Sequence, residues 1–266
     1  MSDVMAGLSI DVITRTDIGH WRRVNEDRVI GSRSLCVVAD GMGGHAAGEV
    51  ASDLLMSRLA PLSVVPAPSP EALLAAIRQA NEDVLAHGRN NPTSAGLGCT
   101  FAGVLAVRVG EEPHWAVFNV GDCRVYLYAD GRLSRATTDH SHVGELVAVG
   151  VLSEDEARRH RLRNVVTRSL GTEPAPIVDI GLLPIRPGVR LLVCSDGLHG
   201  ELPDEQIGSL LAIADRDSCA DSLLAAALAA GGRDNVTLGL VTVGGPGDAG
   251  AAEITRSRPD RQASDA

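Results

Sequence analysis

Short apolar runs broken by turn residues dominate the chain. Residues 8–16 (LSIDVITRT) alternate apolar and polar positions, the period of a strand with one buried face. Residues 28–40 give another strand or hairpin arm, ending at Asp40. The period then changes: Ala46, Ala47, Val50, Ala51, Leu54, Leu55 and Leu59 recur at helical spacing. A proline-rich connector, PLSVVPAPSP, leads to a helix expected from Pro70 to about His87. Strands are expected at 98–109, 114–120 and 123–129, with a short one at 131–135. Residues 139–170 are polar, rich in His and Arg and helical around Glu154–Arg159, and they read as an exposed insertion. Strands at 177–183 and 189–195, helices at about 203–213 and 217–230, and a last strand at 236–243 complete the pattern. The segment 244–266 is too rich in Gly, Pro, Asp, Ser and Arg to pack and is expected to be a disordered tail. Consecutive strands joined by short turns imply antiparallel sheet with helices layered on it, an α+β arrangement.

Composition narrows the function. At 266 residues the chain can bury a substantial core. A net charge of −10 with no basic stripe argues against a nucleic-acid surface. All 24 basic side chains are arginine. The missing lysine excludes a P-loop, a protein kinase and a pyridoxal enzyme, each of which needs one at its reaction centre. Five scattered cysteines without CxxC spacing suit buried thiols in a reducing compartment. No secretory signal and no run near the ~20 apolar residues of a membrane helix is visible, so a cytoplasmic protein is expected.

The candidate chemistry lies where apolar runs meet aspartate. LCVVAD-GMGG (Asp40), WAVFNVGD (Asp122), LLVCSD-GL (Asp196) and GGRDN-VTLGLV (Asp234) each place a carboxylate at a strand end beside Gly or Asn. Like charges gathered at one sheet edge repel unless a cation holds them, and all-oxygen donors favour Mg²⁺ or Mn²⁺ over zinc or copper. Arg22-Arg23-Val24-Asn25-Glu26-Asp27 forms a further charged cluster.

Taken in order, RRVNED (22–27), VADGMGGHAAGEVAS (38–52), GCT (98–100), VGDCR (120–124), SDG (195–197) and GGRDN (231–235) resemble the metal-dependent serine/threonine protein phosphatases of the PP2C (PPM) family, bacterial type. The resemblance covers about residues 8–243 and implies one domain: a four-layer α-β-β-α sandwich of two antiparallel sheets flanked by helices. It implies two metal ions, with Asp40, Asp196 and Asp234 as ligands, the Gly41 carbonyl as a further donor, and Asp27 coordinating directly or through water. Asp122 would hold a third, weaker ion together with Asp196. Arg22 falls at the phosphate-binding position, with Arg23 as its rival, and 139–170 corresponds to a mobile flap. Met42 stands where some members carry a histidine proposed as general acid, which leaves that role unassigned here. Cys99 replaces a common threonine.

The implied activity is hydrolysis of phosphoserine and phosphothreonine in proteins by a hydroxide that the two ions share. Asp27, Asp40, Asp196 and Asp234 with one arginine leave three negative charges, which would repel a phosphate dianion until two divalent ions reverse the sign. Phosphorylated proteins made by a partner kinase are the expected substrates, and a monomer is expected. A catalytically weak binding module or a small-molecule phosphatase are the alternatives. His140, His142 and His160 read as solvated flap residues, and His45 as a positioning residue at most.

Overall fold

The computed structural model describes residues 7–43 and 47–245. His45, and the expected tail beyond Gly245, lie outside the described residues. Among the described residues ten strands form two five-stranded sheets, and every pairing between them is antiparallel. One sheet orders β1 (Ser9–Asp17), β10 (Val236–Gly244), β9 (Arg190–Cys194), β6 (Arg124–Ala129) and β7 (Arg132–Arg135). The other orders β2 (Arg28–Gly31), β3 (Leu35–Met42), β4 (Gly98–Val109), β5 (Glu112–Val120) and β8 (Asp179–Pro184).

The central strands read as unbroken apolar runs because both of their faces are covered. On β3, Leu35, Val37 and Ala39 point to one core while Cys36 and Val38 point to another. Leu191 and Val193 of β9 share that second core, and Leu192 and Cys194 face a third. The second core is the seam between the sheets. The first packs the β3 sheet against helices α1 (Ala47–Leu59) and α2 (Pro70–Asn90). The third packs the β9 sheet against α5 (Asp196–His199), α6 (Asp204–Leu211) and α7 (Arg216–Ala230). Four layers result, as expected: helices, sheet, sheet, helices.

Local chemistry sets the helix ends. Ser69 caps α2 by accepting the Ala72 N–H at 3.2 Å, with Pro70 at the first helical position. Asp215 caps α7 through the Ser218 N–H at 2.8 Å. The differences from expectation are local. Residues 28–42 form a complete hairpin, β2 and β3, that runs past Asp40. The connector holds a 3₁₀ turn at Ala60–Val64. The 139–170 segment contains two short helices, α3 (His142–Ala148) and α4 (Glu154–Arg159), and it is anchored by buried residues at both ends, Asp139–Ser141 and Leu170.

Candidate metal centre

The register brings the loop ends of both sheets to one end of the sandwich. Asp40 closes the apolar part of β3, Asp196 opens α5 directly after β9, and Asp234 precedes β10. Asp27 precedes β2, and Asp122 lies in the tight β5–β6 turn. Asp27 is 3% exposed. Its Oδ2 accepts the Ser195 hydroxyl at 2.8 Å, and the same hydroxyl oxygen accepts the Thr237 N–H at 3.1 Å. Asp27 Oδ1 and Asp196 Oδ1 are both buried with no hydrogen-bond partner among the described residues. Buried orphan acceptors are costly and call for a cation or a proton.

Electrostatics tells the same story. Burial, then the neighbouring Asp196 and Asp234, push Asp27 up to about 7. Burial and Asp234 push Asp196 to about 6, partly offset by a hydrogen bond with Asp40. Burial, Asp196 and Asp139 push Asp122 to about 8. Asp40 is raised well above the carboxylate range by burial and by Asp27, Asp196, Asp122 and Asp234. Asp40 thus feels the other four aspartates. Among the described residues no three His, Cys, Asp or Glu side chains already close as a metal-binding group. The fit to a hard divalent cation rests instead on the donor set, which is all oxygen, mutually repelling and left with two orphan acceptors.

Close backbone packing fixes the frame. A Cβ on Gly41 would fall 2.4 Å from the Gly48 carbonyl group, so only glycines let α1 start against the end of β3. The Glu26 carboxylate accepts the Gly48 N–H at 3.1 Å, and the Ser52 hydroxyl donates to the Glu26 carbonyl at 2.9 Å. Asn235 ties the preceding loop together: its Oδ1 accepts the Glu26 N–H, and its Nδ2 donates to the Ile18 and Val24 carbonyls at 2.9 and 3.1 Å. Glu201 holds the Gly231–Asp234 turn through a two-pronged pair with Arg233 at 2.7–2.8 Å. Glu26, Ser52 and Asn235 lie within motifs visible in the sequence and Glu201 lies outside them, but the partners of all four are more than 20 residues away and left no local signal.

Arg22 donates to Asp234 Oδ2 at 2.6 Å while half of its side chain stays in solvent. Asp234, Asp40 and Asp196 all raise its basicity, so it faces the cluster. Arg23 is exposed and forms no ion pair among the described residues.

Sequence reasoning missed the side chains packed around Asp122. Asp139 and Arg124 form a buried bidentate pair at 2.6–3.1 Å, and Arg124 also donates to the Tyr126 hydroxyl. His199 Nε2 donates to the Asp122 carbonyl at 2.9 Å, and burial holds its pKa well below the usual value, so the ring is neutral. His140 corrects an expectation. Rather than being solvated, it is 4% exposed. Its Nδ1 accepts the Gly121 N–H at 3.1 Å, its backbone N–H donates to the Gly121 carbonyl at 2.8 Å, and Nε2 lies 3.1 Å from Asp179. His142 and His160 are half-buried against each other, with ring centroids 6.1 Å apart.

A family model described as Protein phosphatase 2C matches residues 22–229. The serine/threonine protein phosphatase PstP of Mycobacterium tuberculosis is 38% identical over 230 residues, 84% of this chain and 43% of that protein, so the chain spans less than half the length of this relative. The serine/threonine phosphatase stp of Listeria monocytogenes is 33% identical over 239 residues, covering 85% of this chain and 93% of that protein. A crystal structure of the Mycobacterium tuberculosis phosphatase PstP/Ppp superposes with a TM-score of 0.80 at 36% identity, covering 88% and 98% of the two chains. A PstP catalytic domain in complex with two manganese ions gives a TM-score of 0.80 at 37% identity, covering 89% and 99%.

Proposed function

The chain belongs to the protein phosphatase 2C family, and from that premise we propose that it hydrolyses phosphoserine and phosphothreonine in proteins with the help of two divalent cations, Mg²⁺ or Mn²⁺. Asp27, Asp40, Asp196, Asp234 and the Gly41 carbonyl hold the cations, and Asp122 with Asp196 serves a third, weaker position. When bound, the ions supply positive charge to the phosphate and lower the pKa of coordinated water toward ~7. The observation that carries this reading is the gathering beside one arginine of Asp27 and Asp122, both buried, with Asp40 and Asp196, both half-buried, each held above its ordinary range by its acidic neighbours and its surroundings.

The protein's own groups do the positioning. Ser195 commits one Asp27 oxygen to a hydrogen bond and leaves the other free to face the cluster. Arg22, anchored at Asp234 on the rim, is placed to orient the non-bridging phosphate oxygens as charge develops on them. Burial of Asp27 and Asp122, and partial burial of Asp40 and Asp196, limits competing water and strengthens these charges. Residues 8–243 form the catalytic domain, and 139–170 the flap beside the site. No helix among the described residues is long and apolar enough to cross a membrane. A cytoplasmic monomer acting on the products of a serine/threonine kinase fits this reading.

The test is hydrolysis of p-nitrophenyl phosphate and of a phosphothreonine peptide with Mn²⁺ and with EDTA. Turnover of both substrates that disappears in chelator supports the reading. Full turnover in chelator, or no turnover with Mn²⁺, contradicts it.

A further inference from the structure

Apart from Trp21, the large aromatic side chains of this chain are withdrawn from solvent. Phe101, Phe118, Trp115 and Tyr126 are at most 1% exposed, and Tyr128 is partly buried against the α6–α7 layer. Trp21 is 76% exposed. An indole in water buries no apolar surface for the fold and leaves its face open to a ligand; what sets Trp21 apart from other exposed apolar residues is where its loop is held.

Its setting is a built one. Trp21 sits at the tip of the Ile18–Val24 loop, immediately before Arg22. Both shoulders of that loop are bonded to the Asn235 side chain, at the Ile18 and Val24 carbonyls. The His20 N–H donates to the Gly232 carbonyl at 2.7 Å, and the Gly19 N–H donates to Asp17 Oδ1 at 2.8 Å. Gly19 has φ +77°, and a Cβ there would fall 2.2 Å from the Asp234 carbonyl oxygen, so the loop presses directly on the turn that carries Asp234. Arg22 closes the same contact through its carboxylate pair. The tip is therefore displayed at a fixed distance from the acidic cluster. Beyond Arg22 comes Arg23, exposed and without an ion pair among the described residues, on a chain whose net charge is −10. An aromatic plate and, among the described residues, an unpaired cation thus flank the arginine that faces the acidic cluster.

We propose that Trp21 and Arg23 form a subsite for the polypeptide flanking the phosphorylated residue, with an apolar side chain of the substrate lying on the indole and an acidic one pairing with Arg23. The proposal rests on the phosphatase reading given above and deepens it. Trp21 and Arg23 determine specificity. They touch the substrate's flank and take no part in the chemistry. Such a subsite lowers KM for a peptide without changing kcat, because its contacts are the same before and during the reaction.

The experiment compares wild type, Trp21→Ala, Trp21→Phe and Arg23→Ala on two substrates. These are p-nitrophenyl phosphate and a phosphothreonine peptide carrying a leucine and a glutamate next to the phosphorylated residue. For Trp21→Ala the peptide KM is expected to rise about tenfold at constant kcat, the size typical of a truncated interface aromatic. Trp21→Phe should recover most of that loss. Hydrolysis of p-nitrophenyl phosphate, too small to reach the indole, should stay within about twofold of wild type for both Trp21 variants. For Arg23→Ala the KM penalty should shrink when the peptide's glutamate is replaced by glutamine. Binding can also be read directly: a non-hydrolysable phosphonate version of the peptide, added to the wild-type Mg²⁺ enzyme, should shift tryptophan emission to shorter wavelength. Trp115 is buried and contributes a constant background. An unchanged peptide KM, an equal loss on both substrates, or an emission spectrum that does not move on saturation overturns the subsite while leaving the activity standing. Absence of peptide turnover by wild type, with p-nitrophenyl phosphate still hydrolysed, removes both the subsite and the protein-substrate reading.

Discussion

At the level of single residues, the site is a set of acids that the fold brings together against their mutual repulsion. Asp196 touches the problem from two sides, through its contact with Asp40 and its unpartnered Oδ1. Replacing Asp196 with alanine should lower kcat on p-nitrophenyl phosphate about a thousandfold, the rate equivalent of roughly 4 kcal/mol of lost charge stabilisation. A steady-state assay with saturating Mn²⁺ checks this, and a loss below tenfold would remove Asp196 from the metal set. Ser195 was not singled out by its motif, yet it bonds both Asp27 and the Thr237 N–H. Ser195→Ala strands a buried donor and a buried acceptor, at a cost of about 1–3 kcal/mol. Thermal unfolding in EDTA should record a fall of roughly 3–9 °C. The aspartates were legible because each ends an apolar run beside glycine or asparagine, a local pattern. Ser195, Asn235, Asp139 and His140 were not, since their roles depend on partners that only the folded chain supplies.

Elements explain why the acids converge. Strands β3, β9 and β10 are buried on both faces, so their register cannot slip without moving every side chain into the wrong layer. That alternation between two cores was hidden in the sequence behind unbroken apolar runs, which marked the strands but not their neighbours. The flap was the least legible element. Its polarity suggested solvent, but Asp139, His140 and Ser141 turn inward: His140 grips the β5–β6 turn at Gly121, Asp139 pairs with Arg124 at the start of β6, and Ser141 caps α3. His140 accepts from and donates to Gly121, the residue before Asp122, so it positions that acid through the backbone. His140→Ala should therefore reduce activity at limiting Mn²⁺ by about tenfold or more, in the range found for residues that orient metal ligands. Raising the metal concentration should recover part of the loss. A Mn²⁺ titration identical to wild type would show that the grip on Gly121 is without consequence.

Across the whole molecule, the cluster sets how stability and metal binding depend on pH. Asp27, Asp196 and Asp122 titrate near 7, 6 and 8 in the fold against 3.8 for an ordinary aspartate. Between those limits the folded protein keeps protons that the unfolded chain has lost, so without metal its stability falls as pH rises from about 4 to about 8. Cations bind the ionised acids, and binding should release protons whose number per protein declines from about pH 6 to about pH 9. Calorimetry in buffers of different ionisation enthalpy measures that number directly, and a pH-independent value of zero would contradict the raised acids. Manganese-edge anomalous diffraction from crystals grown with Mn²⁺ shows directly whether these acids hold cations. Two peaks are expected among Asp27, Asp40, Asp196, Asp234 and the Gly41 carbonyl. Peaks elsewhere on the surface, with this cluster empty, would contradict that expectation.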